Sequence, residues 1–216
     1  MAALVHLSGP AAPLMLQDIN TDIIAPLVRG ASGGMQPAGV RTQEELAQRL
    51  FGPWRYGADG QEQPGFILNQ QPFRQARFLV AGPNFACGSS RETAATMLNA
   101  FGVRCVIAPS FGQIFHDNCF RNHMLPLVFD WPTVQRLGAQ AQRGADFHLD
   151  LQACTLTPPD GQPITFSLPD FRRQILLQGA DEVAVTLARE DQIAAYQART
   201  RAERPWEWLD GTVAPS

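Results

Sequence analysis

Three short apolar runs mark the middle of the chain: "RFLVA" at 77–81, "VRCVIAP" at 103–109 and "LPLVF" at 125–129. Between them, at 91–101 and at about 112–122, the pattern of apolar and polar positions is that of amphipathic helices. Strand, helix, strand, helix, strand with short connections predicts a parallel core joined by crossovers. Downstream, strand-like segments at 146–157 and 163–168 are separated by the turn "PPDGQP", and helical patterns return near 169–178 and 189–202. The front is less regular. Residues 1–27 hold broken apolar runs ending in "DINTDIIAP". Residues 28–75 are rich in Gly, Pro, Gln and Arg, with one short helix expected at "TQEELAQRLF". Such a long irregular excursion within a compact domain is usually functional or disordered.

Composition narrows the class. The 216 residues, 45% of them hydrophobic, suffice for one well-buried globular domain. A net charge of −3 and a pI of about 5.8 give no electrostatic reason to expect nucleic acid or an anionic membrane surface. The opening "MAALVHLSGPAAPLML" lacks a basic start and is broken by His6, Gly9, Pro10 and Pro13, so a signal peptide is not expected. No later segment is long and apolar enough to span a bilayer, and a cytoplasmic protein is the expectation. Cys87, Cys105, Cys119 and Cys154 are widely spaced with no C-x-x-C, which argues against a disulfide framework or a self-contained zinc or iron–sulfur site. Every basic residue is arginine. Without lysine, neither a Schiff base nor a P-loop lysine is available.

The densest chemistry lies in "NFACGSSRETAATMLNAFG", residues 84–102. Ser89-x-x-Glu92 has the form of a capping box, and Gly102 sits where a helix ends in a left-handed residue. That alone would make a well-formed helix and nothing more. The turn, however, follows an apolar strand and so falls at the carboxyl edge of a parallel sheet, where open α/β folds place ligands. Free N–H groups and the helix dipole favour an anion there, and Arg91 adds a planar fork suited to a carboxylate. Other familiar loops do not fit. Gly82 and Gly88 are one residue too far apart for a Walker A loop, "GSSRE" is not a nucleophile elbow, and "GPNFACG" lacks the dinucleotide glycine spacing.

"NFACGSSRETA" together with "VIAPSFGQIFHDNCFRNHMLPL" resembles the small subunits of 3-isopropylmalate dehydratase, which match the swivelling domain of aconitases. The resemblance covers most of the chain, with "NTDIIAP", "FGPWRY", "PGFILN" and "FRRQILLQG" in family order. It implies an α/β fold, an aconitase-like swivelling β/β/α domain with a parallel βαβαβ core. On this view residues 1–216 form one domain, with an irregular specificity loop at 28–57 and a C-terminal tail at 203–216. It also implies a hydro-lyase of leucine biosynthesis, working with a large subunit that carries a 4Fe–4S cluster. Carried over by position, Ser89 matches the residue that removes the substrate C–H proton. Arg91 matches the arginine that grips a substrate carboxylate, helped by Ser90 and Thr21. Asp22 matches an aspartate beside the catalytic groups, the alternative being an Asx-type turn before a strand. No cofactor or metal is expected on this chain itself.

Departures from the family pattern are Thr93 for histidine, Asn20 for the first aspartate of D-T-D, and Leu27 for lysine. The stretch between Pro26 and Trp54 is also a poor match. A paralogue acting on another substituted malate, or a non-catalytic module that docks on the large subunit, therefore stays open. His116, Cys119 and His123 have the spacing of one helical face, but a closed zinc site needs a fourth ligand, and a surface or interface helix is the expected role.

Overall fold

A nine-residue strand, β1 (His6–Leu14), lies inside the sheet of the computed structural model, which describes residues 3–26, 42–88, 92–180 and 182–208. After it come α1 (Thr21–Ile24), α2 (Gln43–Arg49) and α3 (Gly52–Arg55). The expected parallel core then runs β2 (Phe78–Ala81), α4 (Thr93–Phe101), β3 (Cys105–Ala108), α5 (Gln113–Arg121) and β4 (Leu125–Val128). The chain continues through α6 (Trp131–Ala141), β5 (Asp146–Asp150), β6 (Thr155–Thr157), β7 (Ile164–Thr165) and α7 (Asp170–Gln178). Among the described residues the seven strands take the order β4-β3-β2-β1-β5-β6-β7.

β1 is the pivot of this order. It pairs in parallel with β2, Ala11 opposite Phe78 through Leu14 opposite Ala81, and antiparallel with β5, His6 opposite Asp150 through Pro10 opposite Asp146. Its sequence, with Gly9, Pro10 and Pro13, reads as an interrupted leader, but a proline lacks only the donor. The Pro10 carbonyl still accepts from the Arg77 N–H at 2.9 Å.

Side chains alternate across the central strands. Phe78 and Val80 with Cys105 and Ile107 join one core, which Val134, Leu137 and Ala141 of α6 cover. Leu79 and Ala81 with Val106 and Ala108 join the other, covered by α4 and by Phe115 and Cys119 of α5. Both faces are thus buried, and these strands read as continuous apolar runs for that reason. β4 closes one edge. The Leu125 and Phe129 N–H groups donate inward to Arg104 and Ala108 carbonyls, so the amide position of Pro126 points away from β3, on a residue that is itself buried.

Two regions differ from expectation. Residues 131–141 form a helix that the apolar spacing did not reveal; Asp130 caps it by accepting from the Thr133 N–H at 3.0 Å, with Pro132 in its first turn. The described part of the expected irregular excursion, from 42 onward, is organised. Thr42 and Glu45 form a capping box on α2. The buried Arg55 donates from Nε to Asn69 Oδ1 at 3.1 Å and from Nη1 to the Ala47 carbonyl at 2.7 Å.

By contact the chain divides into two units, Met1–Gly179 and Ala180–Ser216. The second holds α8 (Glu182–Leu187), α9 (Glu190–Glu203) and a short 3₁₀ turn. In its tail Trp206 is exposed, while the Arg201 guanidinium lies 4.7 Å from the ring centre of Trp208. No helix among the described residues is long and apolar enough to cross a membrane.

Candidate active site

Ser89, Ser90 and Arg91 lie outside the described residues, as do 27–41 of the expected specificity loop and 209–216 of the tail. Both flanks of the serine turn are described. The loop 82–88 leaves β2 and stays in register with its neighbours through two parallel bridges, Asn20 with Cys87 and Phe85 with Phe111. The Thr21 N–H donates to the Cys87 carbonyl at 3.0 Å, which ties α1 to the chain just ahead of Ser89. On the other side, the Asn84 N–H donates to Ser110 Oγ at 2.8 Å and the Phe85 N–H to the Ser110 carbonyl at 3.0 Å. Asn84 Nδ2 also donates to Asp18 Oδ1 at 2.7 Å.

This loop is tightly confined. A Cβ on Gly112 would lie 2.4 Å from the Ala86 carbonyl oxygen, so only glycine fits behind it. Asp18, Asn84 and Ala86 all have positive φ, and Gly88 enters the turn at φ +104° with nothing closer than 3.7 Å to its absent side chain. Gly88 is therefore required by its backbone angle, not by crowding.

Asp22 is exposed in the first turn of α1, while Thr21 is buried. The alternative of an Asx turn leading into a strand is corrected: Asn20 does make the side-chain turn, accepting from the Ile23 N–H at 3.0 Å, but it opens a helical turn rather than a strand. Asparagine caps as well as aspartate, which accounts for the altered first position of the motif.

Beyond the turn, α4 starts at Thr93 with Glu92 as its cap residue and no acidic residue in its first turn. The Ser89 end of the expected capping box lies outside the described residues, and the Glu92 side chain makes no cap bond. The Glu92 carboxylate instead accepts from Asn122 Nδ2 at 3.3 Å, a partner 30 residues away. Ser110 and Asn122, which hold the two limbs, stand in the "APSFGQ" and "CFRNHM" stretches, yet nothing local in the sequence assigned them a role.

His116, Cys119 and His123 do not share a face. α5 ends at Arg121, His123 follows in a left-handed conformation and is buried, and Cys119 is fully buried. His116 faces Arg172 instead, Nη1 to Nδ1 at 3.3 Å, and Arg172 Nη2 donates to Asp117 Oδ1 at 2.7 Å. His116 and Arg172 line a cavity of about 790 Å³ whose wall also includes Ser110, Phe111, Val128 and Phe129. Among the described residues, no three His, Cys, Asp or Glu side chains are placed to hold a metal ion. Burial pushes the Cys105 and Cys119 thiols up, so both are protonated in the chain by itself.

The aconitase C-terminal domain model matches residues 7–132, and the model for the C-terminal domain of 3-isopropylmalate dehydratase small subunits matches residues 182–207. The 3-isopropylmalate dehydratase small subunit of Rhodospirillum centenum is 43% identical over 202 residues, covering 93% of this chain and 96% of that protein. The chain belongs to this small-subunit family. A relative of different build, the 3-isopropylmalate dehydratase of Rhizopus niveus, is 39% identical over 98% of this chain, yet the match spans only 27% of that protein. Small-subunit architecture also recurs in the crystal structure of 3-isopropylmalate dehydratase from Methanocaldococcus jannaschii. It aligns with a TM-score of 0.60 at 22% identity over 89% of this chain and 99% of that one, a likeness of fold.

Proposed function

We propose that the chain is the small subunit of a cytoplasmic 3-isopropylmalate dehydratase, interconverting 2-isopropylmalate and 3-isopropylmalate in leucine biosynthesis. The observation that carries this is the 43% identity to the Rhodospirillum centenum small subunit over 93% of this chain; the bond from Thr21 to Cys87 supports it by fastening the turn that bears Asp22 to the chain two residues ahead of Ser89. The partner is a large subunit bearing a 4Fe–4S cluster. The Rhizopus niveus relative supports it, since there the matching segment is one part of a much longer chain. When bound, that cluster supplies the Lewis acid for the hydroxyl that departs.

This chain contributes the proton and the grip. Arg91 holds one substrate carboxylate, with the N–H groups of Ser89 and Ser90 and the α4 dipole adding to the field. The Ser89 alkoxide takes the C–H proton from one carbon and becomes the hydroxyl as hydroxide leaves its neighbour, giving the alkene; hydroxide then adds to the carbon that lost the proton, and the Ser89 proton goes to the carbon that lost hydroxide. A serine is a weak base. The helix N-terminus and Arg91 lower its pKa enough for the alkoxide to form. Thr21 and Asp22 support the substrate side of the turn.

In the enzyme assembled with its large subunit, Ser89→Ala is expected to lower kcat far more than it raises KM, while Arg91→Lys worsens both. Alkene formation, followed by ultraviolet absorbance, is the assay. A well-folded Ser89→Ala complex with near wild-type kcat would refute the serine's role. A second reading, another substituted malate as substrate, draws on Thr93, a half-buried residue that opens α4 where relatives carry histidine. A panel of 2- and 3-substituted malates compared by kcat/KM separates the two.

A further inference from the structure

We infer that the cavity lined by β4 and the segment 165–169 binds a small monocarboxylate with a rigid apolar body, its carboxylate held by Arg172 and His116. Every residue of its wall belongs to the first unit, Met1–Gly179.

At about 790 Å³ the cavity has the size of a small-molecule pocket, for which roughly 300–1,000 Å³ is usual. Most of its surface is apolar. β4 and the chain just after it line it at 126–129, the stretch 165–169 follows from β7, and Phe111 and Phe120 add aromatic rings. The charge is all of one sign. Arg172 and His116 stand in the wall, and among the described residues no Asp or Glu does. Asp117, which pairs with Arg172 at 2.7 Å, is not part of the lining.

Both basic side chains keep donors in reserve. A guanidinium only donates, so the 3.3 Å contact from Arg172 Nη1 makes His116 Nδ1 the acceptor and leaves the proton of the neutral ring on Nε2. Among the described residues Nε2 has no hydrogen-bond partner, and the bonds from Arg172 to His116 and Asp117 leave further guanidinium N–H groups open. The cluster is also held in place before any ligand arrives. Arg172 lies 4.3 Å from the centre of the Phe120 ring, Asp117 receives a second bond from Gln113 Nε2 at 3.2 Å, and Ser110 in the wall is fixed by the Asn84 and Phe85 N–H groups. Little ordering is therefore required on binding. One planar fork among aromatic and aliphatic side chains suits one carboxylate; a phosphate or a dicarboxylate would press its second charge against apolar surface.

The test is calorimetric titration of the full-length chain with naphthalene-2-carboxylate, whose fused rings have no torsional freedom to lose. One-to-one binding is expected. The amide naphthalene-2-carboxamide, of the same shape without the charge, should bind about tenfold more weakly, and acetate, the charge without the body, should give no measurable heat. Arg172→Gln should weaken the acid about tenfold and leave the amide unchanged, whereas a merely loosened cavity would weaken both. Asp117→Asn, which frees Arg172 of its own carboxylate, should tighten the acid about threefold. Val128→Trp, at an exposed position of the wall, should block acid and amide alike. If Arg172→Gln does not fold, the other two variants decide. Absence of saturable binding, equal affinity for acid and amide, or weaker binding in Asp117→Asn overturns the site. Full affinity in Val128→Trp also overturns it, because the acid then binds elsewhere, the serine turn included. So does binding that vanishes once the large subunit is added, because the cavity would then be buried between subunits.

Discussion

Asn20 accepts the Ile23 N–H and so starts the single helical turn that presents Asp22. A cap of this kind contributes about 1 kcal/mol, and aspartate does the work as well as asparagine. Asn20→Asp should therefore leave the melting temperature nearly unchanged, and Asn20→Ala should cost about 1 kcal/mol in denaturant titrations. Equal losses in both variants would mean that the side chain does something other than capping. Ala86 stands nearby at φ +57°, a conformation that costs a non-glycine residue about 1–2 kcal/mol. The bonds from Asn84, Phe85 and Thr21 on either side hold it there, and no local pattern in "NFACG" announces it.

α5 and α7 are fastened by Arg172, which bonds Asp117 and lies 4.3 Å from the centre of the Phe120 ring. Burial, and then the charge of Arg172, push the His116 pKa down against the pull of Asp117. The hydrogen bond from Arg172 holds the Asp117 carboxyl below the usual carboxylate range. A histidine with a lowered folded pKa binds its proton more readily when unfolded, so stability falls as pH drops through the unfolded value of about 6.5. A carboxyl with a lowered pKa contributes fully above about 4, and that contribution is lost as pH falls through the folded value. Melting temperature should thus decline in two stages on acidification, and His116→Gln should flatten the upper one. Identical curves for both proteins would place the titration elsewhere. At this same scale the sequence was unevenly legible. β2, β3, β4, α4 and α5 were readable because burial on both faces makes unbroken apolar runs and Gly102 punctuates the helix. β1 was hidden by two prolines inside a strand whose partners are distant in sequence, and α6 by a helix start that Asp130 and Pro132 mark more clearly than its apolar spacing does. The site obeyed the same rule. Its motif residues were visible locally, whereas Ser110 and Asn122 act through contacts 26 and 30 residues away.

For the whole molecule the dependence on a partner is the main expectation. The chain purified alone under anaerobic conditions should contain no stoichiometric iron and form no alkene, and adding the large subunit should restore turnover. Stoichiometric iron or turnover without the partner would overturn the two-subunit reading. The sheet itself carries a different consequence, from Pro126. An edge strand offers unpaired backbone groups to any other extended chain, including another copy of itself. At β4 the outward amide position is occupied by a ring that cannot donate, and that ring is itself buried beside Phe166 and Leu168, so of the strand's four residues Val128 alone is exposed. A strand arriving from a neighbouring molecule would find one residue to meet, too little for a ladder to grow into a fibre.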